Sequence, residues 1–210
     1  MHEETLAKKT KVLFDKLTKE KWLKSFYLAG GTALALHYGH RESVDLDWFT
    51  IKNIRTKDLL SKLSKIGKFV VLQEEENTIE GILDGVKVSF MSYPYVMLHD
   101  FSIYNKVNLA STLDIALMKL TAISGRNTKK DFIDLYYFLH KEKIDLSSLL
   151  LKMKKKYKGL NYEVIHILKS LVYFVEAEKE PMPKMLEDIE WSKVKKFFEK
   201  EVLIVSSEVS

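Results

Sequence analysis

Two aspartates one residue apart, Asp45 and Asp47, are the side chains of this sequence best suited to hold a metal ion. Residues 44–50 show the pattern of a strand, in which alternate residues point to the same face, about 7 Å apart. Neighbouring carboxylates repel each other, which favours a cation between them. The opposite face would carry Val44, Leu46 and Trp48 into the core. The pattern predicts a divalent cation at Asp45 and Asp47; the alternative is an edge strand with a solvated acidic face.

A glycine pair, Gly30 and Gly31, separates a short apolar stretch at residues 25–29 from a helical pattern at residues 32–38. Glycine permits a positive φ and lets a phosphate approach the main chain closely. The N-terminus of a helix offers unpaired N–H groups and the positive end of the helix dipole to an anion. Thr32 could cap this helix or donate its hydroxyl to a phosphate oxygen. The junction predicts a phosphate site, although a lone glycine pair can also be a tight turn without a ligand.

Lys119 is the only charged residue between Ile115 and Ser124, at the border of the apolar face of a predicted helix. A lysine in such surroundings needs a nearby anion, either a carboxylate of the protein or a ligand phosphate. Asp131 follows in a capping-box pattern with Thr128, and Asp134 lies one turn later on the same side. Both aspartates are candidate site residues, and the spacing leaves both partners for Lys119 open.

The chain has 34 Lys and Arg residues, 29 Asp and Glu residues and a net charge of +5, which favours a phosphate-rich partner. Only Arg41, Arg55 and Arg126 are arginines. Arginine suits sites that need planar, bidentate geometry, and Arg41 and Arg126 lie beside the motifs described above. Cysteine is absent, so a metal site must use oxygen or imidazole ligands, which favours a hard cation such as Mg²⁺.

The hydropathy pattern predicts a soluble cytoplasmic protein with no membrane partner. No apolar run approaches the roughly 20 residues that a bilayer crossing requires, and the N-terminal residues do not form a secretory signal. Up to about residue 95, helices alternate with strands. From residue 109 onward the pattern is helical.

The elements predict an α+β fold: an α/β domain at residues 1–100 with a mixed β-sheet and flanking helices, and a C-terminal helical domain at residues 101–210 packed against it. Asp84-Gly85 indicates a tight hairpin between two of the strands. We expect a frayed tail at residues 206–210. The predicted strands are 25–29, 44–50, 68–73, 78–83 and 86–92. The predicted helices are 5–24, 32–38, 56–66, 111–124, 129–142, 145–157, 161–176 and 190–201.

Two motifs together resemble the signature of the AbiEii/AbiGii toxin family, which belongs to the nucleotidyltransferase superfamily typified by DNA polymerase β. The first is Gly30-Gly31-Thr32 followed by Arg41-x-Ser43-x-Asp45-Leu46-Asp47. The second is Lys119-Leu-Thr-Ala-Ile-Ser-Gly-Arg126 followed by Lys130-Asp131-Phe-Ile-Asp134-Leu135. The match covers roughly residues 25–140, and the last helices match only in general character.

The resemblance implies a nucleotidyltransferase-like sheet domain with a helical appendage, dependence on Mg²⁺, and transfer of a nucleotide from a nucleoside triphosphate to an acceptor. In relatives that act as toxins of antiviral or toxin–antitoxin systems, the acceptor can be the 3′ end of tRNA. The resemblance therefore also implies tRNA or another RNA, and a cognate antitoxin protein, as partners.

The resemblance also assigns roles to individual residues. It implies that Asp45 and Asp47 hold the metal and that Lys119 meets the nucleotide phosphates, with Asp131 or Asp134 completing the catalytic site. The remaining nucleotide-binding residues that it implies are Gly30, Gly31, Thr32, Arg41 and Ser43.

One position departs from the superfamily pattern. Its enzymes commonly carry a third carboxylate on a later strand, where this sequence has Ser89. A neutral hydroxyl is a poor metal ligand and a poor base. Either Glu80 or Asp84 takes this role, or the site works with fewer carboxylates, or catalysis has been lost. The last case predicts a catalytically inactive nucleotide- or RNA-binding protein on the same scaffold.

Overall fold

The computed structural model describes residues 1–160 and 162–209. The chain forms two compact units: Met1–Tyr95 with Asp100–Ser111, and Val96–His99 with the chain from Thr112 onward. The first unit holds a mixed β-sheet with flanking helices, and the second is helical. The predicted fold class, a mixed sheet with flanking helices followed by a helical region, is confirmed.

The sheet of the first unit has the order β3-β4-β5-β2-β1-β7-β6 in the described residues. β2 is parallel to β5 and antiparallel to β1, and β1 is parallel to β7. The pairs β3/β4, β4/β5 and β6/β7 are antiparallel. The strands are β1 (Tyr27–Leu28), β2 (Leu46–Thr50), β3 (Phe69–Glu75), β4 (Thr78–Leu83), β5 (Val86–Ser92), β6 (Ser102–Tyr104) and β7 (Val107–Leu109).

The β4–β5 hairpin confirms the predicted turn, because Asp84 and Gly85 both have positive φ, 50° and 83°. Strands β6 and β7 are not predicted by the sequence pattern. Their turn places Asn105 and Lys106 at φ values of 47° and 67°. Lysine is an unusual residue at such a conformation, so the sequence gives no clear hairpin signal there.

Three helices flank the sheet: α1 (Lys8–Leu17), α2 (Gly30–Tyr38) and α3 (Thr56–Ile66). The prediction of one helix over residues 5–24 is wrong, since α1 ends at Leu17 and a 3₁₀ turn covers Lys21–Ser25. The Thr18 hydroxyl donates to the Asp15 carbonyl at 3.2 Å, a local bond that competes with continuation of the helix. Helix α2 ends at Gly39, where φ is 74°.

One face of the sheet is aromatic and buried. Trp48 of β2 and Phe90 of β5 are paired in register and fully buried, and Phe14 of α1 stacks on Trp48 with ring centroids 6.1 Å apart. Leu46 is buried as predicted, but the prediction that Val44 packs into the core is wrong, because Val44 precedes the strand and is 54% exposed. The residues that alternate with Trp48 and Phe90, including Asp47 and Ser89, lie on the other face.

The second unit is built from helices around an aromatic core, in which Phe132 packs against Phe174, Trp191 and Phe198. The helix expected over residues 161–176 is two helices, and residue 161 lies outside the described residues. Val172, Tyr173 and Phe174 separate them, consistent with the low helix propensity of β-branched and aromatic residues. The helices are α4 (Thr112–Arg126), α5 (Lys129–Glu142), α6 (Leu146–Lys156), α7 (Val164–Leu171), α8 (Val175–Glu178) and α9 (Trp191–Val209).

Helix α9 is longer than predicted and continues to Val209, so the expected fraying of residues 206–209 is not seen, while residue 210 lies outside the described residues. In the part of the chain that the structure describes, no helix has the length and apolarity needed to cross a membrane.

Candidate active site

The glycine pair and the acidic strand meet at Gly30 and Asp47. Gly30 has a φ of +65°, and a Cβ atom added to it would stand 2.6 Å from Oδ2 of Asp47. The backbone N–H of Ala29 donates to the Asp47 carbonyl at 3.1 Å, which holds the two segments side by side. Position 30 therefore requires glycine for two reasons: its backbone has a positive φ, and the Asp47 carboxylate occupies the space of a side chain.

Helix α2 begins at this contact, and no side chain among the described residues caps it. Its N-cap residue is Ala29, and no side-chain hydrogen bond is made at that position. The first N–H groups of a helix have no partner within the helix. The uncapped first turn, which includes Gly30 and Gly31, can therefore donate to an anion placed beside it.

Thr32 and Ser43 fix the segment that enters β2. The Thr32 hydroxyl lies 2.7 Å from the Ser43 hydroxyl and donates to the main-chain carbonyl of Asp45. Both side chains are buried, with 1% and 5% exposure. The Thr32 side chain does not cap α2, so the prediction that it caps this helix is wrong. Asp45 lies directly before β2 with a partly exposed side chain.

Ser89 contacts one member of the acidic pair, Asp47, directly. It is paired in register with Asp47 across β2 and β5, and its hydroxyl donates to Asp47 Oδ1 at 2.5 Å. At the position where the superfamily pattern has a carboxylate, this chain thus has a donor that orients Asp47.

Asp47 and Ser89 belong to a row of side chains that runs across the strands, and Glu80 extends this row by one strand. Glu80 is paired in register with Ser89 across β4 and β5. Its carboxylate is 2.9 Å from the Lys87 ammonium. The hydrogen bond that the Lys87 ammonium donates to Glu80 raises the pKa of Lys87, and the charges of Asp45 and Asp47 add to the effect. One polar face of the sheet therefore carries both aspartates, Ser89 and the Glu80–Lys87 pair.

Asp84 is not part of this row. Its carboxylate accepts hydrogen bonds from the Lys16 ammonium at 2.8 Å and from the Lys68 backbone N–H at 2.9 Å. These bonds hold down the pKa of Asp84 and close the hairpin end of β4 and β5. Of the two acids considered for the third carboxylate, Glu80 is on the Asp47 face and Asp84 is at the turn.

Arg41 is buried near the start of the acidic segment, with 4% exposure. One of its terminal nitrogens donates to the Glu42 carbonyl at 3.1 Å. Burial and this hydrogen bond hold the Arg41 guanidinium in place, and they do not by themselves define a nucleotide contact.

In the second unit, Lys119, Asp131 and Asp134 form one buried ionic cluster. The Lys119 ammonium is 2.7 Å from Asp131 Oδ1 and 2.6 Å from Asp134 Oδ2, and none of the three side chains is more than 5% exposed. The sequence leaves two kinds of partner open for Lys119, a carboxylate of the protein or a ligand phosphate. The structure shows two carboxylates beside it. Burial of both acids beside one lysine is consistent with the rule that buried charges are paired.

Asp131 has further donors. Arg126 contacts it with Nε at 2.8 Å and a terminal nitrogen at 3.1 Å, and the Thr128 hydroxyl donates to it at 2.7 Å. The capping box is only half formed: Asp131 bonds back to Thr128 at the helix start as expected, but the Thr128 side chain makes no cap hydrogen bond. Burial alone would raise the pKa of Asp131, but the Lys119 and Arg126 charges outweigh it and hold that pKa well below its usual range.

Sequence reasoning named Glu80 only as one of two substitutes for the third carboxylate, and it missed Lys87 beside it. Strand register was the missing information, since a two-residue alternation does not say which strands are neighbours. Among the described residues, no group of three or more His, Cys, Asp or Glu side chains is close enough to hold a metal. A metal at Asp45 and Asp47 would need its other ligands from elsewhere.

Comparison with known proteins shows the family of this chain. A family model described as nucleotidyl transferase AbiEii toxin, type IV TA system, matches residues 11–203. An uncharacterized protein of Aquifex aeolicus is 37% identical over 203 residues, 94% of this chain and 96% of that protein.

Two solved structures share the fold. A candidate nucleotidyltransferase from Helicobacter pylori aligns with a TM-score of 0.51 and 16% identity, over 99% of this chain and 94% of that one. MenT4, a nucleotidyltransferase toxin from Mycobacterium tuberculosis, aligns with a TM-score of 0.56 and 14% identity, over 91% and 80%. Since the family model spans most of the chain, the protein belongs to the AbiEii family of nucleotidyl transferase toxins.

Proposed function

We propose that this nucleotidyltransferase moves a nucleotide from a nucleoside triphosphate to the 3′ end of an RNA, with tRNA as the acceptor, in a Mg²⁺-dependent reaction. The observation that carries the proposal is the contact between Gly30 and the Asp47 carboxylate at the uncapped start of α2. An anion-binding helix end and a metal-binding carboxylate side by side are what a metal–triphosphate complex requires.

The donor set fits Mg²⁺. Asp45 and Asp47 offer hard carboxylate oxygens, and Mg²⁺ is usually held by one or two carboxylates, with phosphate oxygens and water as its other ligands. Two protein carboxylates therefore suffice, in keeping with the lack of a larger cluster in the described chain. When bound there, Mg²⁺ would neutralise phosphate charge and favour ionisation of the attacking hydroxyl.

The chain's own groups would prepare the reactants. The first-turn N–H groups of α2 would bind and orient the triphosphate. Ser89 would keep one oxygen of Asp47 engaged, so that Oδ2, the atom facing Gly30, stays in a fixed direction. The Thr32–Ser43 pair would hold the Asp45 main chain in place.

Roles for Lys119, Asp131, Asp134 and Arg41 toward the nucleotide stay predictions from the family motif. The observed contacts support a positioning role for the buried cluster: Asp131 accepts from both Lys119 and Arg126, and the Arg126 side chain is 60% exposed. An exposed guanidinium held by a buried carboxylate is well placed for a phosphate contact.

The partners follow from the same proposal. We infer a cytoplasmic protein that acts beside a cognate antitoxin, as membership of a type IV toxin–antitoxin family suggests. The net charge of +5 supports an RNA acceptor.

The test is incubation with each α-labelled nucleoside triphosphate, total RNA and Mg²⁺, followed by separation of the labelled RNA. Asp45→Asn and Asp47→Asn should each lower transfer roughly a hundredfold or more, because a bound metal contributes several kcal/mol. Asp58→Asn is the matched control, since Asp58 lies on α3 with a half-exposed side chain. Failure of the wild-type protein to label any RNA with any nucleotide would overturn the proposal.

A second function is favoured by Ser89, which stands where a third carboxylate is expected. In that case the protein binds a nucleotide–metal complex and does not turn it over. Nucleotide binding without transfer, together with transfer gained by Ser89→Asp, would support this alternative. Transfer by the wild-type protein would exclude it.

A further inference from the structure

The outer edge of the sheet at β3 is long, apolar and open to solvent. In the described part of the chain, β3 is the last strand in the sheet order and is paired only with β4. Its residues Val70, Val71 and Leu72 are 48%, 44% and 56% exposed. The three are consecutive, so exposed apolar side chains lie on both faces of the strand.

Natural sheets usually protect such an edge. The usual devices are short strands, prolines, charged side chains within the strand, β-bulges, or a covering element. The opposite edge follows this rule, because β6 has three residues. β3 has seven residues, and its charged side chains are confined to one end. The strand carries one of these devices, a bulge-like register shift between Val71 and Gln73, but regular pairs with β4 continue on both sides of it.

The charges at the two ends of β3 have opposite sign. Lys68 precedes the strand, and Glu74, Glu75 and Glu76 end it or follow it, all with exposed side chains. In an antiparallel pair of two β3 strands, the lysine end of each meets the glutamate end of the other. A parallel pair would place like charges together, which is unfavourable.

We propose that β3 pairs antiparallel with β3 of a second copy of this chain, about a two-fold axis near Leu72. The pairing joins the two sheets into one and buries the apolar edge residues. It sets Lys68 of one copy opposite Glu76 of the other, twice per dimer. Two-fold contacts between identical surfaces are the commonest form of protein association. This inference does not depend on the nucleotidyl transfer proposed above.

Sedimentation velocity over a concentration series tests the dimer. The wild-type chain should show a reversible monomer–dimer equilibrium. Lys68→Glu, and separately Glu75→Lys with Glu76→Lys, should each weaken it about tenfold or more, because each places like charges together twice. The triple variant should recover the wild-type dissociation constant. All three positions are exposed, so the monomer should keep its circular dichroism spectrum and Tm.

The absence of cysteine from the sequence allows a test of register. Leu72→Cys should form a disulfide-linked dimer on mild oxidation, since antiparallel partners have Cα atoms about 4.5 to 5.5 Å apart. Ile103→Cys is the control, because Ile103 is 74% exposed on the opposite edge strand. A wild-type chain that stays monomeric, a dimer unaffected by the charge reversals, or equal cross-linking by the two cysteine variants would overturn the proposal.

Discussion

The contact between Gly30 and Asp47 sets the chemistry of the site at the scale of single residues. The glycine lacks a side chain where the carboxylate stands, and its positive φ turns the chain into α2. In the proposed function, the first-turn amides of α2 would bind phosphate and Asp47 would hold the metal, and the missing side chain lets them be neighbours without a clash. The sequence motif indicates both halves of this arrangement, because each is a short local pattern.

Gly30→Ala should destabilise the fold by about 1 to 3 kcal/mol, since it adds strain at a positive φ and a Cβ atom 2.6 Å from Asp47 Oδ2. It should also weaken nucleotide binding, because Asp47 must move. Gly125→Ala is the control: nothing lies within 4 Å of its Cβ position, in the last turn of α4. Urea unfolding should show that change to be neutral or slightly stabilising, and equal losses for the two variants would contradict the assignment.

Ser89→Ala should lower the free energy of unfolding by about 1 kcal/mol, the net contribution of one hydrogen bond. Nucleotidyl transfer should fall by more than this loss explains, because Asp47 loses the donor that orients it. Ser92→Ala on the same strand is the control, as its hydroxyl makes no hydrogen bond to any described residue. Unchanged transfer by Ser89→Ala would show that Asp47 does not need the bond.

The sequence predicts the burial and contacts of single residues less well where these depend on main-chain geometry. The sequence places Val44 in the core by simple alternation, yet the strand begins at Leu46 and Val44 is exposed. Ser89 is recognised from the sequence as a missing acid, but its bond to Asp47 depends on strand register. Register is set by contacts between distant segments, which a local pattern does not contain.

At the scale of elements, the α4–α5 pair is held by the ionic cluster of Lys119, Asp131 and Asp134. Lys119→Met should destabilise the protein by about 3 to 5 kcal/mol, because it leaves two carboxylates buried without their ammonium. Lys154→Met, on the exposed face of α6, should change stability by less than about 0.5 kcal/mol. Chemical denaturation of both variants checks this, and a mild effect of Lys119→Met would mean that the cluster is not a structural ion network.

The same cluster predicts a pH dependence. The pKa of Asp131 is depressed in the folded protein below the ordinary aspartate value of 3.8. Its contribution to stability is therefore complete above that value and is lost as the pH falls toward the folded pKa. The stability difference between wild type and Asp131→Asn should shrink from about pH 5 to about pH 3. A difference that stays constant over this range would contradict the assignment.

Elements with their own strong signals were predicted well. Helix α3 and the β4–β5 hairpin lie where the pattern places them, because helical periodicity and an Asp-Gly turn are local features. The β6–β7 hairpin was missed, since a lysine at positive φ is not a turn signal. The break between α7 and α8 was also missed; it lets Phe174 pack on Phe132 in a core that only the folded unit creates.

At the scale of the whole molecule, the chain crosses between its two units more than once. Val96–His99 belongs to the helical unit, although the residues before and after it belong to the sheet unit. Asp114 explains this: it accepts from the backbone N–H groups of Leu98 and His99 at 3.0 and 3.1 Å and from the Lys156 ammonium at 2.6 Å. Burial lowers the pKa of Lys156, and the bond to Asp114 opposes that shift.

Asp114→Ala should release this segment. The backbone amides of Leu98 and His99 lose their acceptor, so their hydrogen exchange should quicken, and a buried Lys156 without its carboxylate should cost about 3 to 5 kcal/mol. Asp145→Ala, which removes the N-cap of α6, should cost about 1 kcal/mol and leave that exchange unchanged. Slow exchange of both amides in Asp114→Ala would show that another contact holds the segment.

The fold class of the whole chain could be predicted because the order of elements differs between its two halves. The short strands at residues 102–109 join the sheet of the first unit, and nothing in their composition indicates that pairing. Long-range pairing of three-residue strands depends on the sheet already formed beside them.

The most direct test of the central claim is titration calorimetry of a nonhydrolysable nucleoside triphosphate with and without Mg²⁺. If one cation and one triphosphate share the site at Gly30, Asp45 and Asp47, Mg²⁺ should tighten binding to the wild-type protein about tenfold or more. Asp45→Asn and Asp47→Asn should each abolish most of that gain, and Asp58→Asn should keep it. An equal effect of Mg²⁺ on the wild type and on both site variants would contradict the claim.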